Sequence, residues 1–158
     1  MLMIQGKILF INIETDKQTV TVEVEGETKV FALQDTYLID GETGFRIDAK
    51  ELRGREVRIY VKDEQAAAIL TMTEQNIAHY AEIESLEKEA DGSLRVVTDG
   101  GSRVVTISKE AEIRPWLTRN IVMLQDLQVG SKVLLYYDLM TMSLPAQAYT
   151  EKVILLAK

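Results

Sequence analysis

This chain contains an internal repeat, which limits the folds that it can adopt. Segments Ile4–Ile39 and His79–Ile113 each contain a long strand pattern, a polar turn, an alternating strand, a glycine turn and a third strand. A closer match follows between DAKELRGREVRIYV (Asp48–Val61) and LQDLQVGSKVLLYY (Leu124–Tyr137). The offset stays at about 75 residues, and self-similarity at a fixed spacing is typical of duplicated structural units. We therefore expect two copies of one domain, residues 1–76 and 77–158.

The periodicity within each copy is that of β-strands. In QTVTVEVE, the side chains of Val20, Val22 and Val24 share one face, and polar residues occupy the other. Each copy contains about five such short strands, with one helical turn before a glycine. Five strands are too few for two well-filled sheets, so a small closed barrel is the simplest solution. The predicted fold class is all-β, with two tandem OB-fold-like five-stranded barrels related by the repeat.

The segment Thr73–Gly92 is the most ambiguous part of the chain. It contains good helix formers, with Thr73 as a candidate N-cap and Gly92 as a terminator. Its apolar residues drift around a helix, however, because Glu84 interrupts the stripe. The repeat requires a strand from about Tyr80 to Lys88. We favour the strand, and a helix joining the two copies is the alternative.

The end of the second copy resembles a known kind of domain. The stretch DLQVGSKV (Asp126–Val133) is followed by Thr141, Ser143, Pro145 and Gln147 in a Thr-x-Ser-x-Pro-x-Gln loop. This arrangement is similar to uncharacterised OB-fold-like β-barrel modules of Gram-positive bacteria. The resemblance covers about the last 35 residues well and the first copy only in outline. The resemblance implies an OB-like barrel, and it does not imply any particular activity.

The second copy contains an apolar insertion between its last two strands, at residues 139–146. Pro145 has no N–H for a strand ladder, so the segment is predicted to be a loop. If the loop is exposed, its apolar side chains would form the kind of patch that marks an interaction surface. Folded back onto a barrel edge or onto the first copy, they would be buried, and we expect this burial. The candidate interaction residues are Leu139, Met140, Thr141, Met142, Ser143, Leu144, Pro145 and Gln147.

Several kinds of chemistry have no support in the sequence. There is no cysteine, and His79 is the only histidine, so thiolate catalysis, His-centred triads and multi-His metal sites are excluded within one chain. Phosphate-binding glycine loops and a nucleophile elbow are also absent. Acidic runs at Glu23–Glu27 and Glu82–Asp91 lack calcium-loop spacing and fit solvated faces. We expect no enzyme activity, cofactor or metal; a carboxylate enzyme or cation-binding domain is one alternative.

A second alternative is single-stranded nucleic-acid binding. OB barrels can stack bases on aromatic rings while arginines follow the phosphates. The tryptophan of the chain, Trp116, could serve this purpose or could plug its barrel, and we favour the plug. Acidic residues are interspersed among the arginines of the first copy, which weakens the electrostatic attraction. The residues of this alternative face are Arg53, Arg55, Arg58, Arg114, Trp116 and Arg119.

The overall charge favours a protein partner over a polyanion. Lysine and arginine number 18 against 25 acidic residues, for a net charge of −7, whereas phosphate binding needs cations. No segment has the roughly 18 consecutive apolar residues of a membrane span. The sequence as written has no secretion signal and predicts a cytoplasmic protein; a missing upstream signal would make it exported or cell-surface. The preferred hypothesis is a non-catalytic module that binds a protein or self-associates.

Overall fold

The computed structural model describes residues 1–14, 16–75 and 77–158. The chain divides into two compact units, Met1–Asn76 and Ile77–Lys158. Asn76, at the boundary expected from the repeat, lies outside the described residues. Within the described ranges each unit is built on one six-stranded sheet, with helical structure limited to short 3-10 turns. The all-β prediction is confirmed.

The first unit is a barrel-like sheet. Its described strands are β1 (Leu2–Ile13), β2 (Gln18–Val24), β3 (Glu27–Ala32), β4 (Tyr37–Ile39), β5 (Glu56–Lys62) and β6 (Gln65–Thr71). They lie in the order β3-β2-β1-β5-β6-β4. Neighbours pair antiparallel except β4 and β6, which are parallel. Because β4 follows β3 after a bend, the two act as one strand that changes partner from β2 to β6.

The second unit repeats this plan with a different break. Its described strands are β7 (Ala78–Glu82), β8 (Ser85–Lys88), β9 (Leu94–Thr98), β10 (Arg103–Pro115), β11 (Lys132–Tyr136) and β12 (Ala146–Ala157). They lie in the order β7-β11-β12-β10-β9-β8, and β10 pairs parallel with β12. Only Ile83 and Glu84 separate β7 from β8. Their backbone N–H groups bond Ser131 and Val97, so the bent strand keeps its ladder.

The repeat therefore gives the same five strand positions twice. The first strand is continuous in the first unit and bent in the second, as β7 and β8. The third strand is bent in the first unit, as β3 and β4, and continuous in the second, as β10. This explains why the described residues form six strands in each unit where the sequence predicted five. The 3-10 turns at Ala49–Leu52 and Leu124–Asp126 occupy the predicted helical turns.

The ambiguous segment is extended. Residues 78–88 form β7 and β8, which pair with β11 and β9, so the strand prediction is confirmed and the alternative helix is wrong.

The described parts of the chain contain no helix with the length and apolar composition that a membrane-spanning helix needs.

Each unit has its own hydrophobic core, formed by the inward faces of its strands. In the first unit, alternate residues of β2 and β5 point inward, including Val20, Val22, Val57 and Ile59, and all four are fully buried. The core of the second unit is likewise built from alternate strand residues, with Val96, Val105, Val133 and Val153 among its members. Burial at every second residue matches the period of two in the sequence.

Candidate functional site

The apolar insertion is exposed. It connects β11 to β12, and the exposed fractions of Leu139, Met142 and Leu144 are 79%, 102% and 90%. Met140 is 41% exposed. The expected burial of these side chains is therefore wrong. The segment presents its apolar groups to solvent instead of covering a core, and solvent exposure of neighbouring large apolar side chains is the property that marks interaction surfaces.

A relay of hydrogen bonds gives the insertion its shape. The Gln147 N–H donates to Thr141 Oγ1 at 2.8 Å, and Ser143 Oγ donates to the Pro145 carbonyl at 2.9 Å. Because the Ser143 proton is used in this way, Thr141 Oγ1 donates to Ser143 Oγ in the 2.7 Å contact between them. The four residues of the Thr-x-Ser-x-Pro-x-Gln pattern are thus the internal support of the loop, and Met142 and Leu144 are the residues between them.

Backbone contacts hold the insertion to the barrel. Met140 and Ala148 form an antiparallel bridge, and the Thr141 N–H donates to the Gln147 carbonyl at 2.9 Å. The Ala146 N–H donates to Ser102 of the turn before β10, also at 2.9 Å. Residues 139–149 therefore form a short, supported hairpin, which we call the apolar hairpin. The Leu144–Pro145 peptide bond is cis.

Tyr149 extends the apolar surface and was not singled out from the sequence. The bridge between Met140 and Ala148 places Leu139 opposite Tyr149, so the two side chains share a face. Tyr149 is 55% exposed. The signal that would have found it is the period of two in β12, in which Tyr149 falls on the outward side between inward-facing Ala148 and buried Thr150.

The strand ends below the apolar hairpin are packed and hydrogen-bonded. The ring of His79 stacks on that of Tyr137, with centroids 4.0 Å apart and an angle of 11° between the planes. His79 Nε2 lies 3.2 Å from the Tyr137 carbonyl oxygen. On β12, the buried Thr150 hydroxyl donates to the Tyr136 carbonyl. These contacts hold together the strand ends from which the apolar hairpin extends, and His79 takes part in them.

The residues of the alternative nucleic-acid face are divided between the two units. Arg53 and Arg55 are exposed beside the turn before β5, and Arg58 is half-buried on β5. In the second unit, Arg114 and Trp116 are half-buried around the end of β10, and Arg119 is exposed beyond it.

The surroundings of Arg55 are acidic. It lines a cavity of about 570 Å³ in the first unit together with Asp40, Glu42 and Glu74. Three carboxylates beside one guanidinium make this cavity unfavourable for a phosphate group, since phosphate affinity depends on an excess of cations. The remaining residues of its lining are Met72, Thr73 and Gln75.

Two members of the acidic run support turns of the second unit. Glu84 Oε1 accepts a hydrogen bond from the Gly100 N–H at 2.5 Å. Asp91 Oδ1 accepts bonds from both the hydroxyl and the backbone N–H of Ser93, at 2.6 and 2.9 Å. These bonds, that of the hydroxyl first, lower the pKa of Asp91 below its usual value. Within the described ranges, no three His, Cys, Asp or Glu side chains are grouped as metal ligands would be.

Comparison with known proteins does not assign the chain to a family. No family model matches the chain, and no curated protein is similar to it. Among solved structures, a crystal structure of the tetrameric p202 HIN2 has a TM-score of 0.34 and 8% sequence identity. The superposition covers 99% of this chain and 93% of that chain. A TM-score of 0.34 is too low to indicate a shared fold.

Proposed function

We propose that this protein is a non-catalytic binding module whose apolar hairpin contacts another protein. The single observation that carries the proposal is that Leu139, Met142 and Leu144 are almost fully exposed on a loop whose shape is held by its own hydrogen bonds. Burying a Leu or Met side chain in a partner contributes about 1.5–3 kcal/mol relative to leaving it in water.

The internal support of the hairpin favours binding. A flexible loop loses conformational entropy when a partner orders it, and this loss weakens the complex. The relay from Gln147 through Thr141 and Ser143 to Pro145 orders the loop before any partner arrives. The methionines supply unbranched, polarisable side chains that adapt to an irregular apolar pocket. An ordered hairpin backbone with adaptable methionine side chains is well suited to binding a protein surface.

The experiment compares the chain with a Met142→Ser/Leu144→Ser double variant. A matched control is Ile121→Ser/Met123→Ser, which also replaces two exposed apolar side chains, 90% and 53% exposed, in the segment after β10. A photo-crosslinking amino acid is placed at position 142, or at position 121 as control, in cells that express the protein. Crosslinked proteins are identified by mass spectrometry.

We expect a specific protein to crosslink at position 142 and not at position 121. Its affinity for the purified chain should fall at least tenfold in the hairpin variant and stay unchanged in the control variant. If positions 142 and 121 give the same crosslinking pattern, or if the hairpin variant binds with unchanged affinity, the proposal is wrong.

A further inference from the structure

The first unit has an open strand edge that the proposed function does not use. β3 stands at one end of the sheet order, and within the described ranges it pairs only with β2. The parallel pairing with β6 comes from β4, after the bend, and not from β3. β6 approaches β3 without forming a ladder with it. The side of β3 that faces away from β2 therefore keeps backbone N–H and C=O groups for pairing with another strand.

The register shows which residues present these groups. The hairpin between β2 and β3 turns at Glu25 and Gly26, with φ of 51° and 83°, so Val24 and Glu27 flank a two-residue loop. Such flanking residues form a hydrogen-bonded pair. The Leu33 N–H donates to the Gln18 carbonyl at 2.8 Å, which continues the same alternation. Odd-numbered residues of β3 thus bond β2, and Thr28, Val30 and Ala32 point their backbone groups outward.

Val30 also ends a row of side chains on the outer face of the sheet, which has exposed apolar residues at both ends. Phe10 of β1 pairs with Thr21 of β2, and Thr21 pairs with Val30 of β3. Phe10 is 60% exposed and Val30 is 64% exposed. The row ends at the open edge. A strand that pairs with β3 would extend it if that strand also carried an apolar residue opposite Val30.

We propose that β3 pairs antiparallel with β3 of a second copy of this chain, about a two-fold axis at Val30. In this register Val30 lies opposite Val30 of the second copy, and Thr28 lies opposite Ala32. The outward groups of these residues then form hydrogen-bonded pairs in both directions. The rows from Phe10 to Val30 of the two copies join into one continuous row across six strands.

The charges of β3 are compatible with this register. Lys29 lies opposite Phe31 of the second copy and Glu27 lies opposite Leu33, so no like charges face each other. Shifting the pairing so that Thr28 faces Val30 would place Lys29 opposite Lys29, which is unfavourable. Only the register centred on Val30 sets the exposed valines of the two copies, and therefore the two rows, against each other. This match favours a second copy, rather than an unrelated extended peptide, as the occupant.

A single engineered thiol tests the register directly. The chain has no cysteine, so Val30→Cys introduces the sole thiol. Residues of a hydrogen-bonded antiparallel pair have Cα atoms about 5.5 Å apart, within the range that a disulfide spans. The matched control is Val129→Cys, because Val129 is 63% exposed, almost the same as Val30. We expect Val30→Cys to form a covalent dimer under mild oxidation at least tenfold faster than Val129→Cys.

Sedimentation equilibrium tests the association without a thiol. The weight-average mass of the native chain should rise from 17.8 kDa towards twice that value. The range to cover is about 10 µM to 1 mM, because a contact confined to one strand edge belongs to the weak class of interfaces. Val30→Lys should keep the mass at the monomer value. Thr28→Pro should do the same, since it removes an outward N–H and leaves the bonds to β2 intact.

Controls separate this proposal from the function proposed above. Circular dichroism and urea unfolding establish that each variant is folded, and Thr28→Ala should associate like the native chain. The Met142→Ser/Leu144→Ser variant should also associate normally. A native mass that stays at the monomer value to 1 mM, or equal crosslinking of the two cysteine variants, overturns the proposal. Association abolished by the hairpin variant but not by Val30→Lys also overturns it and assigns self-association to the hairpin.

Discussion

At the scale of single residues, polar side chains of the second unit support turns. Thr141 and Ser143 use their hydroxyls inside the apolar hairpin, and Asp91 uses one carboxylate oxygen for both donors of Ser93. Such local bonds replace backbone partners that an irregular segment lacks. Each of these bonds has an assigned donor and acceptor, so a single substitution can remove it and test its contribution.

Removing the hydroxyl of Thr141 should loosen the apolar hairpin without unfolding the barrel. Thr141→Val keeps the shape of the side chain but loses the acceptor for the Gln147 N–H. We expect this amide to exchange with solvent about 2- to 10-fold faster, because a hydrogen bond contributes a net of roughly 0.5–1.5 kcal/mol. NMR-detected exchange measures it. Thr118→Val, another exposed threonine, is the control, and unchanged protection in Thr141→Val would contradict the relay.

The pKa of Asp91 should depend on Ser93. Because the hydrogen bonds favour the carboxylate, its pKa lies below the usual value in the folded chain. The stabilisation is present above the pKa of the unfolded chain and is lost as the pH falls through the folded pKa. Ser93→Ala should raise the pKa of Asp91 towards its usual value, as read from a carbon-detected NMR titration. Ser108→Ala should leave it unchanged; equal pKa values in all three chains would be inconsistent with this assignment.

At the scale of elements, the local sequence marks turns and bends, but it does not determine which strands pair on either side of them. Asp63 and Glu64, for example, occupy the tight turn between β5 and β6, and both have positive φ. The bend between β3 and β4 also contains a polar pair, Gln34 and Asp35, and Asp35 has a φ of 54°. Only the structure shows what lies on each side of this bend: the third strand leaves β2 and then pairs with β6. In the second unit the equivalent strand, β10, pairs with both β9 and β12 without a break.

A glycine in β1 shows how tightly two strands approach. A Cβ atom on Gly6 would lie 2.6 Å from the carbonyl oxygen of Glu23 and 2.7 Å from a methyl of Val22. Gly6→Ala should therefore destabilise the first unit by about 1–3 kcal/mol, the usual cost of overpacking. Urea unfolding measures the change. Gln5→Ala, at an exposed neighbouring position, is the control, and equal stability of the two variants would show that the strands can separate without cost.

At the scale of the whole molecule, the net charge and the acidic surroundings of Arg55 are unfavourable for binding nucleic acid. The chain carries −7, and Arg55 lies among carboxylates. We expect no quenching of Trp116 fluorescence when short single-stranded DNA or RNA is added at low salt. Urea denaturation shows that the fluorophore responds to its environment. Salt-dependent quenching that disappears in Arg114→Gln/Arg119→Gln would revive the nucleic-acid alternative.

Periodicity and duplication were sufficient to predict the all-β class, the paired barrels and the extended path of residues 78–88, because these properties depend on which residues alternate along a strand. The exposure of Met142 and Leu144 could not be predicted in this way. It depends on what lies beside the loop, which no local pattern encodes. The open edge of β3 is of the same kind: alternation shows that residues 27–32 form a strand, but only the order of strands in the folded sheet decides which strand has a neighbour on one side alone.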